Sequence, residues 1–118
     1  MFGDVQENAR VKDLVMLYMV IERFKPGAAP AVYARARERG RLLPDGLEYV
    51  SSWVDMKFQT CYQLMQTEDA ALFEAWTSAW ADLVEFEIVP VRTSAEAAQA
   101  LGTLQASGSL EGVEVDIR

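Results

Sequence analysis

From Met16 to Val91 the spacing of hydrophobic and polar positions changes in a fixed order: alternating, helical, alternating, alternating, helical, alternating. Strand side chains repeat every two residues and helix side chains about every 3.6, so this order predicts strand, helix, strand, strand, helix, strand. Met16 to Phe24 is rich in β-formers and reads as a central strand. Lys25-Pro26-Gly27 breaks it, Pro30 suits the first turn of a helix, and that helix runs to Arg39 with Gly40 as its stop. Pro44-Asp45-Gly46 is a turn signal before the second strand, Leu47 to Asp55. Met56 to Phe58 connects it to the third, Gln59 to Gln66. Thr67-Glu68-Asp69 opens the second helix, on which Leu72, Phe73, Trp76, Trp80 and Leu83 recur at helical spacing. Leu83 to Val91 is the fourth strand, and its Pro90 marks a strand end or an edge position.

A βαββαβ order is the split βαβ plan of the ferredoxin-like fold, an α+β architecture with a four-stranded antiparallel sheet and helices on one face. The domain is expected over residues 16–102, closing with a short helix that starts at a Thr93–Glu96 capping box and ends near Gly102. Residues 1–15 read as an extension outside the core, with a short helix over Val11, Leu14 and Val15 as the alternative. Residues 103–118 form a Gly/Ser-rich tail in which Val113, Val115 and Ile117 alternate as a weak strand would.

A length of 118 residues suits one domain with one core. The net charge of −7 argues against a nucleic-acid partner, because phosphate binding relies on clustered Lys and Arg. No apolar run approaches the roughly 20 residues that span a bilayer. The opening MFGDVQENARVKD has acids where a signal peptide needs a basic and then an apolar stretch. With Cys61 as the single cysteine no internal disulfide can form, and a cytoplasmic location is the simplest reading. Histidine is absent, which removes Ser-His-Asp and Cys-His nucleophiles, HExxH zinc sites and haem held by a proximal His. Acid–base chemistry would fall to Glu, Asp, Tyr, Lys or Cys61.

Each strand offers two sets of side chains. Leu17, Met19 and Ile21, with Val84, Phe86 and Ile88, are wholly apolar and are expected under the helices. That would place Tyr18, Glu22, Glu85 and Glu87 on the opposite face, together with Tyr49, Ser51 and Trp53 and with Cys61, Gln63 and Met65. The register of the middle strands is the least determined, because a one-residue slip exchanges a whole set. Such a face carries too much aromatic area to stay bare and too many carboxylates for a dry core. A second copy of the chain closing over it would resolve both problems.

MLYMVIERFKPG, RGRLLPDGLEYVSSWVD, CYQLMQTED and WADLVEFEIVPV resemble a bacterial family of unknown function in the dimeric α/β-barrel superfamily of ferredoxin-like proteins. The resemblance spans roughly residues 16–98. It implies two sheets facing each other across a two-fold axis, with one pocket per subunit. Relatives in that superfamily include cofactor-free monooxygenases, muconolactone-isomerase-like enzymes and haem-degrading proteins. The family has no agreed catalytic motif, and a haem-degrading branch would ordinarily need an axial His that this chain lacks.

The pocket candidates are therefore Tyr18, Glu22, Tyr49, Trp53, Cys61, Gln63, Met65, Glu85 and Glu87, with no cofactor and no metal assigned. Glu85 and Glu87 lie about 6.5–7 Å apart on one face. Near Glu22 such a pair could hold one carboxyl protonated or bind a hard cation, or could simply pair with Arg23, Arg41 or Arg92. Cys61 reads first as a buried small hydrophobe, and Trp76 and Trp80 as core against Ile21 and Phe86. Arg35, Arg37, Arg39 and Arg41 concentrate positive charge at a helix end, either as an anion site at the subunit boundary or as cations complementing the helix dipole on a solvated surface. The expected function is a homodimer that binds a small, partly apolar molecule, with cofactor-independent oxygenation or isomerisation as candidate reactions. The alternative is a non-catalytic dimerisation or partner-binding module.

Overall fold

The computed structural model describes residues 15–106. The expectations for residues 1–14 and for a strand at Val113–Ile117 lie outside them. Four strands, β1 (Met16–Phe24), β2 (Glu48–Val54), β3 (Thr60–Thr67) and β4 (Val84–Val91), form one antiparallel sheet in the order β2-β3-β1-β4. The helices are α1 (Ala29–Arg39), α2 (Leu72–Ser78) and α3 (Ser94–Ala106). This is the α+β arrangement expected from the sequence, with β1 central and the proline-bearing β4 at an edge.

Local chemistry fixes the connections. The β2–β3 hairpin is held by Asp55, whose Oδ1 accepts from the backbone N–H groups of Gln59 and Thr60 at 2.6 and 2.7 Å. α3 opens on a reciprocal cap: Thr93 N–H donates to Glu96 Oε1 at 2.9 Å, and Glu96 N–H donates to Thr93 Oγ1 at 3.0 Å. The helix continues through Gly102 to Ala106. α2 is shorter than its apolar spacing suggests. It ends at Ser78, and turns carry the chain to β4, with Leu83 and Val84 N–H both donating to the Trp80 carbonyl.

The core lies between the sheet and the α1 and α2 side, and it corrects the assignment of faces. Val20 and Met65 are fully buried and cluster with Val32, Phe73, Trp76, Trp80 and Val84. The helix-covered face of β1 is thus Tyr18, Val20, Glu22 and Phe24, while Leu17, Met19 and Ile21 point to the other side. Cross-strand pairing carries the same parity into β3, placing Cys61, Gln63 and Met65 under the helices. β4 follows the expectation: Val84, Phe86 and Ile88 face the core, and Glu85 and Glu87 face away. β2 changes face partway, because an irregularity between Tyr49 and Ser51 shifts the register. Tyr49 pairs with the inward Met65, whereas Trp53 pairs with Tyr62 on the outer face.

Trp76 packs against Phe86, with ring centroids 5.3 Å apart, as expected, but Ile21 lies across the sheet from it. The outer face is largely apolar: Leu17, Met19, Ile21, Leu64 and Val89 are half-buried, and Trp53 and Tyr62 are 55% and 41% exposed.

Candidate functional site

Three of the sequence candidates converge beneath α1. Glu22 on β1 sits beside Cys61, its cross-strand partner on β3, and near Gln63 two residues further along. All three are buried. Gln63 Nε2 donates to Glu22 Oε2 at 2.5 Å, and Gln63 Oε1 accepts from Arg41 Nε at 3.1 Å. The amide therefore relays between a buried carboxyl and a guanidinium at the protein surface. These groups line a cavity of about 190 Å³ that also takes in Tyr33 and Ser52. Its apolar wall comes from Phe24, Val32 and Val54 and from the indoles of Trp76 and Trp80.

The loop after α1 is built to place Arg41. Gly40 has φ 71°, which glycine adopts freely, and Leu42 has φ 62°, which a branched side chain adopts at a cost of order 1–3 kcal/mol. Between them the Arg41 carbonyl accepts two indole N–H bonds, from Trp76 and Trp80, each at 3.0 Å. The guanidinium stacks on the Tyr49 ring, with Cζ 3.6 Å from the centroid. One backbone oxygen thus anchors the two core tryptophans and fixes the residue whose side chain caps the cavity. Arg35 has a different task. It forms a two-pronged pair with Asp82 at 2.9 and 2.7 Å and lies over Trp80, tying α1 to the turn after α2.

Burial dominates the electrostatics. It pushes Glu22 up from the ordinary 4.5 to about 7, with the Arg41 charge opposing only in part. The Cys61 thiol is pushed up to about 12, by burial first and then by the neighbouring Glu22 charge. Cys61 is consequently a neutral thiol across the physiological range, the opposite of a nucleophilic cysteine. Tyr33 is also raised, by burial first and then by Cys61 and Glu22.

No sealed side-chain nitrogen or oxygen among the described residues lacks a hydrogen-bond partner. Glu22 lines the cavity; its Oε2 accepts from Gln63, and Oε1 is the carboxyl oxygen left without a protein partner among the described residues. When Glu22 is protonated the proton resides on Oε1, since Oε2 already accepts a bond.

The remaining candidates lie elsewhere. Tyr18 and Met65 belong to the core, Tyr18 meeting Phe73 edge-on at 5.0 Å. Tyr49 flanks the site through its stack on Arg41. Trp53, Glu85 and Glu87 are on the other face, and Glu87 pairs with Arg23 at 2.9 Å. Among the described residues no group of Cys, Asp and Glu could hold a metal ion. Tyr33 is not among the sequence candidates. Its place on α1, one residue after the buried Val32, is the only signal in the sequence that points to it.

Residues 16–105 match the family model described as a domain of unknown function, DUF3303. The chain belongs to the DUF3303 family. No curated protein and no solved structure matches it. In this DUF3303 chain the matched span includes every residue of the Glu22–Gln63–Arg41 relay and both tryptophans that anchor it.

Proposed function

We propose that this chain binds a small, partly apolar molecule in the cavity between α1 and the sheet, and that Glu22 exchanges a proton with it. The observation that carries the reading is a buried, cavity-lining carboxyl brought to about 7, one of whose oxygens has no hydrogen-bond partner among the described residues. A carboxyl in that range is both a competent base and a competent acid at neutral pH. Arg41 supplies a positive charge for an oxyanion, and the indoles and Val32 supply an apolar seat. Removing and returning a proton beside a carbonyl is the chemistry of an isomerase, and the removal alone is a starting step for cofactor-independent oxygenation. The protein works in this reading as a homodimer of the dimeric α/β-barrel type, in the cytoplasm, with the outer sheet face as the contact between copies.

The apolar outer face, with Trp53 and Tyr62 exposed, favours a second reading: a non-catalytic dimerisation or partner-binding module. Native mass spectrometry of freshly purified protein separates the two. The binding reading expects a retained small molecule that is lost in Ala36→Phe, which fills the cavity without touching the outer face. A dimer with no bound molecule, and no ligand from a metabolite screen followed by Trp76 and Trp80 fluorescence, would leave the module reading standing.

A further inference from the structure

We infer that the pocket's ligand is an organic anion, a one-ring aromatic carboxylate in size and shape, whose charge docks on the Nη groups of Arg41 and whose arrival places a proton on Glu22. The inference rests on the pocket reading above and adds the chemical class of the ligand.

Four observations support it. First, Arg41 spends Nε on Gln63 and its face on Tyr49, and among the described residues its Nη groups have no hydrogen-bond or ion-pair partner. A guanidinium held flat, with its fork free, matches the two oxygens of a carboxylate. Second, the cavity measures about 190 Å³ and is walled by Trp76, Trp80, Phe24 and Val32. An apolar cavity of about 150 Å³ accepts benzene, so one ring with its acid group fits here. Third, a cation is disfavoured by Arg41 at the mouth, while in a chain of net charge −7 an anion needs a local cation of this kind. Fourth, Glu22 is the one carboxyl among the residues lining the cavity.

Two negative charges in one small cavity repel, so the anion selects the protonated form of Glu22. The ionisable groups around Glu22 are Cys61 on β3, Tyr33 on α1 and Arg41 from the loop after α1. β4 contributes the apolar Phe86, and α2 the neutral Trp76. Cys61 and Tyr33, both raised, stay neutral near pH 7, so proton uptake falls to Glu22.

Isothermal titration of the whole chain with benzoate, and with the neutral isostere benzamide, tests this at pH 6 and pH 8. Benzoate should bind about tenfold more weakly at pH 8, because binding that requires the protonated carboxyl loses that factor when a group of pKa near 7 ionises. Repeating the titration in buffers of different ionisation enthalpy should show net proton uptake. Glu22→Gln should bind benzoate equally at both pH values. Arg41→Gln, which leaves the anchoring carbonyl in place, should lose benzoate binding but keep the native fluorescence of Trp76 and Trp80. Benzamide binding as tightly as benzoate, with no pH dependence, would overturn the anion inference and leave the pocket reading intact. Failure of both probes to bind at millimolar concentration would overturn the two together.

Discussion

Replacing Glu22 by Gln should remove a pH dependence of stability that the wild-type chain carries. The gap between about 7 in the folded protein and 4.5 in the unfolded chain corresponds to about 3 kcal/mol. Its sign follows from proton counting. Below pH 4.5 Glu22 is protonated in both states and costs nothing. Between 4.5 and 7 the folded state binds more protons than the unfolded state, so stability falls as pH rises. Above 7 the full cost of a buried carboxylate is present. About 2 kcal/mol of the loss should fall between pH 5.5 and 8. Two ordinary sources of pH dependence are missing from that window: there is no histidine, and Cys61 is held up at about 12. Asp55, Asp82 and Glu96 are lowered by their hydrogen bonds, so their contributions vanish only at more acid pH. In Glu22→Gln the new side-chain amide oxygen can still accept from Gln63, so the relay survives the substitution. Urea unfolding at pH 5.5 and 8, read by tryptophan fluorescence, should show wild type losing stability on alkalinisation and Glu22→Gln not doing so. Parallel pH profiles for the two proteins would refute the buried-carboxyl argument.

Three further outcomes are expected. Trp80→Ala should cost about 3–5 kcal/mol in chemical denaturation, whereas Trp80→Phe should cost about 1 kcal/mol, because Trp76 still donates to the Arg41 carbonyl. Cys61 should resist thiol reagents at pH 8 until the chain is unfolded, and prompt labelling of native protein would contradict its burial. Met19→Lys and Ile21→Lys place charge on the outer sheet face without entering the core. Native chain should sediment as a dimer and these variants as folded monomers; a native chain that is monomeric at micromolar concentration would contradict the shared-sheet arrangement.

The elements are legible in the sequence because each strand and helix carries its own period, and because Gly27, Gly40, Gly46 and the Thr93–Glu96 box punctuate them. The faces are not. Both halves of β1 are mostly apolar, and the charge of Glu22 argues for the outer side. What overrides that charge is its Gln63 partner and a cavity in which the carboxyl can stay protonated. Once β1 turns over, pairing turns Cys61, Gln63 and Met65 with it. The register change at Tyr49/Ser51 separates Tyr49 from Trp53, and neither a glycine nor a proline announces it. In the sequence Arg41 is one of four arginines at a helix end. Its role depends on the left-handed backbone on either side and on two indoles reaching its carbonyl, contacts that link positions 35 and 39 residues apart.

The proposed function and the ligand class both turn on Glu22 being a protonatable carboxyl that lines a ligand cavity. Carbon-13 NMR of glutamate side-chain carboxyls, with Glu22 assigned by its loss in Glu22→Gln, measures this directly. One resonance should titrate near pH 7 and shift when benzoate is added. A Glu22 carboxyl that titrates near 4.5 and is indifferent to added benzoate would contradict it.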